Sequence, residues 1–255
     1  MTAVRPARES GTPLLFVHGL FAAGWMFEQW SAYFAERGRA AYAVDLRGHG
    51  GSARVADLGR VSLADYVDDA LHVVRELGHA IVVGHSMGSL VAQRIAEMGA
   101  ATAAVLASPA PPRGIPLLSL ELVIREAKYL PAMLRSREIR VRRADADAMI
   151  LNRVPPCGRA EIFARFQPDS GRAGREIMLG AVAIDARKVR CPVLVLAGTD
   201  DRFVPYRVAR RVARKYNAPL RLLEDCGHLM MQEPRWSDAA AEIERWLEIV
   251  EPVSP

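Results

Sequence analysis

Cysteine is scarce in this chain of 255 residues, which contains three: Cys157, Cys191 and Cys226. Their number is odd and their spacing is wide, so they predict neither a disulfide framework nor a set of zinc ligands. Free thiols are typical of proteins in a reducing compartment. A cytoplasmic location is therefore expected, and a structural metal is not.

Long apolar runs are also missing. No segment approaches the roughly 20 apolar residues that cross a bilayer. The first residues, MTAVRPARESGTP, contain arginines but lack the apolar stretch of a secretory signal. We expect neither secretion nor stable insertion into a membrane.

Positive charge is in excess, with a formal net charge of +5 and a pI near 9.4. Part of it comes from the basic run Arg135 to Arg143, RSREIRVRR. Such a run could attract an anionic substrate, nucleic acid or a membrane surface. No nucleic-acid motif accompanies it, so nucleic acid is not an expected partner. A solvated helix face is the preferred interpretation, and anion binding remains open.

The order of apolar segments predicts an α/β fold. Short apolar runs alternate with helix-like segments in residues 1–109 and again in 190–255, which indicates βαβ units, a parallel sheet and helices on both faces. Residues 110–189 break this alternation, contain proline clusters and have no clear strand. A stretch of that length is too long for a loop, and it predicts a helical cap inserted into the α/β core.

The sequence GHSMG places Ser86 between a predicted strand and a predicted helix. Gly84-x-Ser86-x-Gly88 is the spacing of a nucleophile elbow, a tight turn that exposes the serine hydroxyl. A Cβ at either glycine would collide with the neighbouring strand or helix. Ser86 is therefore the candidate nucleophile.

A serine hydroxyl needs a base, and the base needs an acid that fixes its tautomer. His228 is the candidate base, because it lies in a loop between the last predicted strand and the last helix. His85 adjoins the serine, whereas His18 and His49 fit structural roles better. Asp200 and Asp201 both follow an apolar strand and both are candidate acids.

Acyl transfer also needs backbone N–H donors for the negative oxygen that forms, and each donor contributes roughly 3 kcal/mol. Met87, the residue after the nucleophile, supplies one donor. The turn at His18-Gly19 would present the N–H of Leu20 as the second.

These motifs resemble the α/β-hydrolase superfamily from His18 to about Trp246. The matching segments are, in order, HGLF, DLRGHGGS, GHSMG, GTDDRFVP and GHLMMQEP. The resemblance implies a catalytic triad of Ser86, Asp201 and His228, with an oxyanion hole at Leu20 and Met87. It selects Asp201 over Asp200, because the family's acid lies three residues after the glycine.

Two further expectations come from the resemblance. In DLRGHGGS, the polar residues brace the loop beside the site: Asp45, Arg47, His49 and Ser52. Few residues precede the first predicted strand, so the family's N-terminal hairpin is shortened. We expect a mostly parallel sheet of about six to eight strands, six of them parallel, with at most one or two more at the N-terminal edge.

The main functional hypothesis is a carboxylesterase that forms an acyl-enzyme and uses no metal or organic cofactor. Its substrate would be a small-molecule ester, bound in part by Phe21, His85, Leu229 and Met230. Apolar cap residues suggest an apolar acyl pocket: Leu117, Leu118, Leu120, Leu122, Ile124, Met133 and Met149. The protein would be a monomer or a homodimer.

Three alternatives remain open. A serine hydrolase that cleaves a carbon–carbon bond could hold a substrate carboxylate with cap arginines or Arg113. A thioesterase or lactonase could use the basic run Arg135 to Arg143. A ligand-binding protein on the same fold would have lost catalysis.

Overall fold

A computed structural model describes residues 1–7, 9–117, 124–125 and 127–251. Its strands, in chain order, are β1 (Thr2–Val4), β2 (Leu14–Val17), β3 (Ala41–Val44), β4 (Ile81–His85), β5 (Ala103–Ala107), β6 (Glu138–Ile139), β7 (Asp169–Ser170), β8 (Val193–Gly198) and β9 (Leu220–Leu223). Its α-helices are α1 (Glu28–Glu36), α2 (Leu63–Leu77), α3 (Met87–Glu97), α4 (Leu130–Leu134), α5 (Arg143–Asp145), α6 (Pro156–Ala164), α7 (Gly171–Met178), α8 (Tyr206–Tyr216) and α9 (Trp236–Val250).

Seven of these strands form one sheet in the order β1-β3-β2-β4-β5-β8-β9. Strand β1 pairs antiparallel with β3, and every other pairing in this sheet is parallel. The expected mostly parallel sheet of six to eight strands is thereby confirmed, and β1 is its short N-terminal edge. Strands β2 and β4 are buried on both faces, since helices cover both sides of the sheet.

The helices begin where local chemistry favours it. At the start of α2, Ser62 Oγ accepts from the N–H of Asp65, and the Asp65 carboxylate accepts from the N–H of Ser62. This reciprocal capping box satisfies two orphan donors and contributes about 1 kcal/mol. Helix α1 contacts α9, and α2 contacts α3. No helix in the described ranges is both long and apolar enough to traverse a bilayer.

Parallel strands bring their carboxyl ends to one edge of a sheet, where sites in open α/β folds form. The loops after β2, β4, β8 and β9 therefore meet at that edge. They contain Leu20, Ser86, Asp201 and His228, the residues that the sequence singled out.

Residues 110–189 are inserted between β5 and β8, and their described part is mostly helical. A short antiparallel ladder also occurs here, where Glu138 pairs with Ser170 and Ile139 with Asp169. The expectation of no strand in this segment was wrong on that point. Each partner contributes two residues, a length too short for an alternating pattern to reveal.

The basic run Arg135 to Arg143 does not form one helix face, which corrects the preferred interpretation. Helix α4 ends at Leu134, and the chain then turns into β6. Gly171 N–H donates to Arg137 O at 3.0 Å, and a Cβ on Gly59 would lie 2.4 Å from the Arg137 carbonyl carbon. Contacts with distant residues therefore fix this backbone. The five arginines of the run are nonetheless exposed.

Candidate active site

Ser86 lies at a strained turn between the central strand β4 and helix α3. Its φ is +51°, in the left-handed region that non-glycine residues rarely adopt. A Cβ on Gly84 would lie 2.2 Å from the Gly88 carbonyl oxygen, and a Cβ on Gly88 would lie 2.2 Å from that of Val17. The two flanking glycines are thus a steric requirement, and the neighbouring β5 holds the turn through a 3.0 Å hydrogen bond from Ser86 N–H to Ala107 O.

His228 is paired with Asp201. The His228 Nδ1 atom lies 2.9 Å from Asp201 Oδ2 and 3.1 Å from Oδ1. Asp201 Oδ1 also accepts from the backbone N–H groups of Phe203 and Val204, at 2.9 and 2.8 Å. Both side chains are buried, so the carboxylate is fixed from two sides and holds the imidazole in one orientation.

Asp200, the other candidate acid, faces away from this pair. Its side chain is 40% exposed and forms an ion pair with Arg153 of the inserted segment. The side-chain amide of Asn152 donates to the Asp200 carbonyl at 2.9 Å. Of the two adjacent aspartates, the structure brings Asp201 to the histidine.

Glu233 supports the loop that contains His228, a role that the sequence interpretation did not assign. Its carboxylate accepts from the N–H groups on either side of the histidine, Gly227 at 2.6 Å and Leu229 at 3.2 Å. Burial raises the pKa of Glu233, and these hydrogen bonds oppose the rise. The quoted motif GHLMMQEP contains this residue, but no local pattern shows where its carboxylate lies.

The other histidines near the turn are buried. His85 Nε2 donates to the His228 carbonyl at 2.8 Å, and burial holds the pKa of His85 well below its usual value. His18 Nδ1 donates to Gly19 O and its Nε2 accepts from Leu46 N–H. Burial and the nearby His49 lower the pKa of His18 to about 4. His85 and His18 are therefore neutral hydrogen-bonding groups at neutral pH.

A small pocket adjoins Ser86 and His228. It holds about 20 Å³ of free space, which is room for about one water molecule. Its lining is mainly apolar and comes from both the sheet edge and the inserted segment: Gly19, Leu20, Phe21, Ala22, Met26, His85, Ser86, Ile150, Phe166, Phe203, His228 and Leu229.

Two backbone N–H groups near this pocket remain available. Met87 is the first residue of α3, so its N–H has no partner inside the helix. Leu20 lines the pocket. Neither N–H donates to another group in the described part of the chain.

A buried carboxylate from the inserted segment anchors the loop after β2. Asp169 Oδ2 accepts from Phe21 N–H at 2.8 Å, and Oδ1 accepts from Tyr66 OH at 2.8 Å and Ser170 N–H at 2.6 Å. His49 Nε2 lies 3.1 Å from Oδ2. Burial works to raise the pKa of Asp169, but the charge of His49 and the hydrogen bonds hold it below its usual value. Nothing in the sequence pattern pointed to Asp169.

The DLRGHGGS segment makes the internal contacts expected of a bracing loop. Asp45 accepts from the N–H groups of Gly24 and Gly51, and the guanidinium of Arg47 binds Asp69.

The structure places the predicted substrate-contact and cap residues in different surroundings. Phe21, His85 and Leu229 line the pocket, whereas Met230 is fully buried and lies outside this lining. Among the predicted cap residues, Leu117, Met133 and Met149 are buried and Ile124 is exposed. The other three lie outside the described residues: Leu118, Leu120 and Leu122.

A mostly parallel sheet with a serine on the strand-to-helix turn after its central strand is the architecture of the α/β hydrolases. The sequence model of the alpha/beta hydrolase family matches residues 14–242. The chain belongs to this family.

Similar proteins differ in activity. A 2-(acetamidomethylene)succinate hydrolase of Mesorhizobium japonicum is 40% identical over 82 residues, which are 31% of this chain and 28% of that protein. A non-heme chloroperoxidase of Burkholderia pyrrocinia is 36% identical over 107 residues, 39% of this chain and 38% of its own. The matches thus span about a third of these curated relatives.

Among solved structures, an esterase from Thermogutta terrifontis superposes with a TM-score of 0.75 at 22% identity. The match covers 95% of this chain and 92% of the esterase. At that identity the likeness establishes a shared fold.

Proposed function

We propose that this protein is a serine hydrolase that cleaves carboxylic esters of small to medium apolar substrates through an acyl-enzyme. The observation that carries the proposal is the meeting of Ser86, on a strained turn, with the buried pair His228–Asp201 at one pocket. A serine nucleophile, a base and an orienting acid are the groups that acyl transfer requires.

In the first half-reaction the Ser86 oxygen attacks the ester carbonyl carbon, and its proton passes to His228 Nε2. Asp201 holds Nδ1–H and stabilises the imidazolium that forms. The tetrahedral intermediate collapses, the carbon–oxygen bond to the alcohol breaks, and His228 returns the proton to the leaving oxygen. The acyl group stays on Ser86.

In the second half-reaction His228 takes a proton from water as the water attacks the acyl carbon. Collapse of this intermediate releases the carboxylic acid, and Ser86 regains its proton from His228. Every proton transfer uses a protein side chain, and the steps call for no further cofactor.

The developing oxyanion would receive hydrogen bonds from Leu20 N–H and Met87 N–H. Donors aimed at this oxygen are the largest single contribution in many acyl transfers, because they are fixed before the charge forms. The N-terminus of α3 adds a partial positive charge at the same point.

The pocket favours an apolar ester over a diacid. Its described lining contains no lysine or arginine, so a substrate carboxylate would lack a counter-charge there. Arg113, the arginine considered for carbon–carbon cleavage, donates instead to Ala181 O at 2.8 Å. Phe21 and Leu229 would contact the acyl or alcohol group.

A cap function for residues 110–189 follows from the size of the pocket. Room for one water molecule is too small for an ester, so part of the roof must move before substrate enters. Ile150 and Phe166 form the roof that the inserted segment contributes. The location in the cytoplasm and a monomeric or dimeric state stay predictions.

The test is labelling and turnover. Wild-type protein should be labelled at Ser86 by a fluorophosphonate and should hydrolyse p-nitrophenyl butyrate. Ser86→Ala should lose labelling and lower kcat by about 10⁶-fold. Ser108→Ala is the matched control, because Ser108 is also a buried serine with positive φ at this edge, and its Oγ has no partner among the described residues.

The outcomes separate the candidate functions. Near-normal turnover by Ser86→Ala would remove the covalent mechanism. Absence of labelling and of turnover across esters, thioesters and lactones would favour a binding protein. Faster cleavage of a meta-cleavage dienoate than of any ester would favour carbon–carbon hydrolysis.

A further inference from the structure

Residues 167–170 of the inserted segment, here called the strap, form hydrogen bonds with the loop after β2. The strap binds both backbone groups of Phe21. Phe21 N–H donates to Asp169 Oδ2 at 2.8 Å, and Gln167 N–H donates to Phe21 O at 2.8 Å. Gln167 Oε1 also accepts from the N–H of Gly50 in the next loop, at 2.8 Å.

Phe21 needs this restraint because its backbone is strained. Its φ is +68°, a conformation in which a non-glycine residue persists when its surroundings impose it. Phe21 directly follows Leu20, the proposed oxyanion donor. Holding the Phe21 N–H fixes the peptide plane that follows Leu20. This restricts backbone rotation at Leu20, whose own N–H lies in the preceding peptide plane.

The Asp169 carboxylate is itself held by several partners. Asp169 is fully buried, and its two oxygens accept from Phe21, Tyr66 and Ser170. His49 faces Oδ2 from the core at 3.1 Å. A carboxylate held by this many partners cannot turn away from Phe21 without leaving buried donors unsatisfied.

We propose that Asp169 is a positioning residue, through which the strap aims the Leu20 N–H at the oxyanion. The proposal rests on the proposed function, and it goes beyond it by making one half of the oxyanion hole depend on the inserted segment. Asp169 does not touch the substrate. Its effect should therefore appear in the transition state and not in ground-state binding.

The first test compares Asp169→Ala with Tyr66→Phe. The alanine removes the acceptor of Phe21 N–H, whereas the phenylalanine removes a different hydrogen bond to the same carboxylate. Asp169→Ala should lower kcat on p-nitrophenyl butyrate by about 10²- to 10³-fold, as loss of one oxyanion donor does, with KM changed by less than about threefold. Tyr66→Phe should lose stability in urea yet keep kcat within about threefold.

A second pair avoids the buried carboxylate, in case Asp169→Ala does not fold. Gln167→Pro deletes the N–H that binds Phe21 O, and Pro168 already favours an extended residue 167. Gln167→Ala keeps that N–H and loses only the side-chain contact to Gly50. The proline variant should lose kcat and the alanine variant should not.

Inhibition by a trifluoromethyl ketone distinguishes a positioning role from a merely structural one, because the ketone forms a tetrahedral adduct with the serine. Its inhibition constant should rise in Asp169→Ala by the same factor by which kcat/KM falls. Three results would overturn this inference and leave the proposed function intact. Asp169→Ala and Gln167→Pro could keep the wild-type kcat, their effect could be confined to KM, or Tyr66→Phe could lose as much kcat as Asp169→Ala. A wild type that neither hydrolyses the ester nor is labelled at Ser86 would overturn the proposed function, and the inference with it.

Discussion

Two buried histidine–carboxylate pairs in this protein have similar geometry and different surroundings. His228 Nδ1 lies 2.9 Å from Asp201 Oδ2, and His49 Nε2 lies 3.1 Å from Asp169 Oδ2. His228 lines the pocket beside Ser86. His49 is enclosed, and its second nitrogen contacts the Arg47 carbonyl at 3.1 Å.

The difference teaches that access decides what such a pair can do. A base must reach the proton that it transfers, and the ring of His228 lies at the pocket. Both nitrogens of His49 already have neighbours, so that pair can join the inserted segment to the core but has no nitrogen to offer a substrate. Residue type and pairing distance alone would not separate the two roles.

Of the changes that test this comparison, loss of the His228–Asp201 pair should have the largest effect. Asp201→Asn should lower kcat by about 10⁴-fold, because the amide would stabilise the wrong tautomer of His228. Asp200→Asn is the matched control and should stay within a few-fold of wild type, since Asp200 faces Arg153. Steady-state kinetics on one ester measures both, and the reverse order would move the acid by one residue.

Loss of the enclosed pair, His49–Asp169, should have the next largest effect. His49→Gln should lower the free energy of unfolding by about 3 kcal/mol, because it leaves a buried carboxylate without its charge partner. His228→Gln should instead abolish turnover, because it removes the base beside Ser86. Urea denaturation and kinetics on both variants test the contrast, which fails if His49→Gln costs activity without stability.

A smaller effect is the pH dependence of that stability. Burial alone would lower the pKa of His49, but the charge and hydrogen bond of Asp169 raise it above its ordinary value of 6.5. A group whose pKa is raised in the folded state adds to the free energy of unfolding. This contribution is fully present below the unfolded pKa and is lost as pH rises through the folded pKa. The stability difference between wild type and His49→Gln should therefore shrink above pH 6.5, by at most about 1.4 kcal/mol per pH unit.

The lowered pKa of Asp169 sets the lower limit of the pH range in which the His49–Asp169 pair stabilises the fold. Its contribution is present above the unfolded value near 3.8 and is lost as pH falls through the folded pKa. The pair should thus contribute most between about pH 4 and 6.5. Unfolding curves at several pH values would contradict this account if the difference grew from pH 7 to 9.

The smallest expected effect concerns the roof of the pocket. Phe166→Ala should raise kcat/KM for bulky esters by a few-fold relative to p-nitrophenyl acetate, because it enlarges a pocket with room for about one water molecule. Phe163→Ala is the control, since Phe163 contacts Phe166 but lies outside the lining. Equal effects in the two variants would indicate a general loosening of the inserted segment.

Much of the fold was predictable from local patterns. The apolar runs predicted the parallel strands of the sheet. The Gly84 and Gly88 requirement follows from the tightness of the turn, and the structure shows the collisions that a Cβ would cause. The short ladder β6–β7 and the turn within the basic run escaped prediction, because two-residue strands have no period and distant backbone fixes the turn.

The sequence by itself determined the sheet, the strained turn at Ser86 and the order of the candidate side chains, because these depend on periodicity and on neighbours in the chain. The motif spacing already favoured Asp201 over Asp200, whereas tertiary structure alone decided which inserted residues line the pocket and how small its free space is. It also joined Asp169 to Phe21, residues 148 positions apart. A hydrogen bond across that separation depends on how the inserted segment folds back on the core, and no local pattern encodes it.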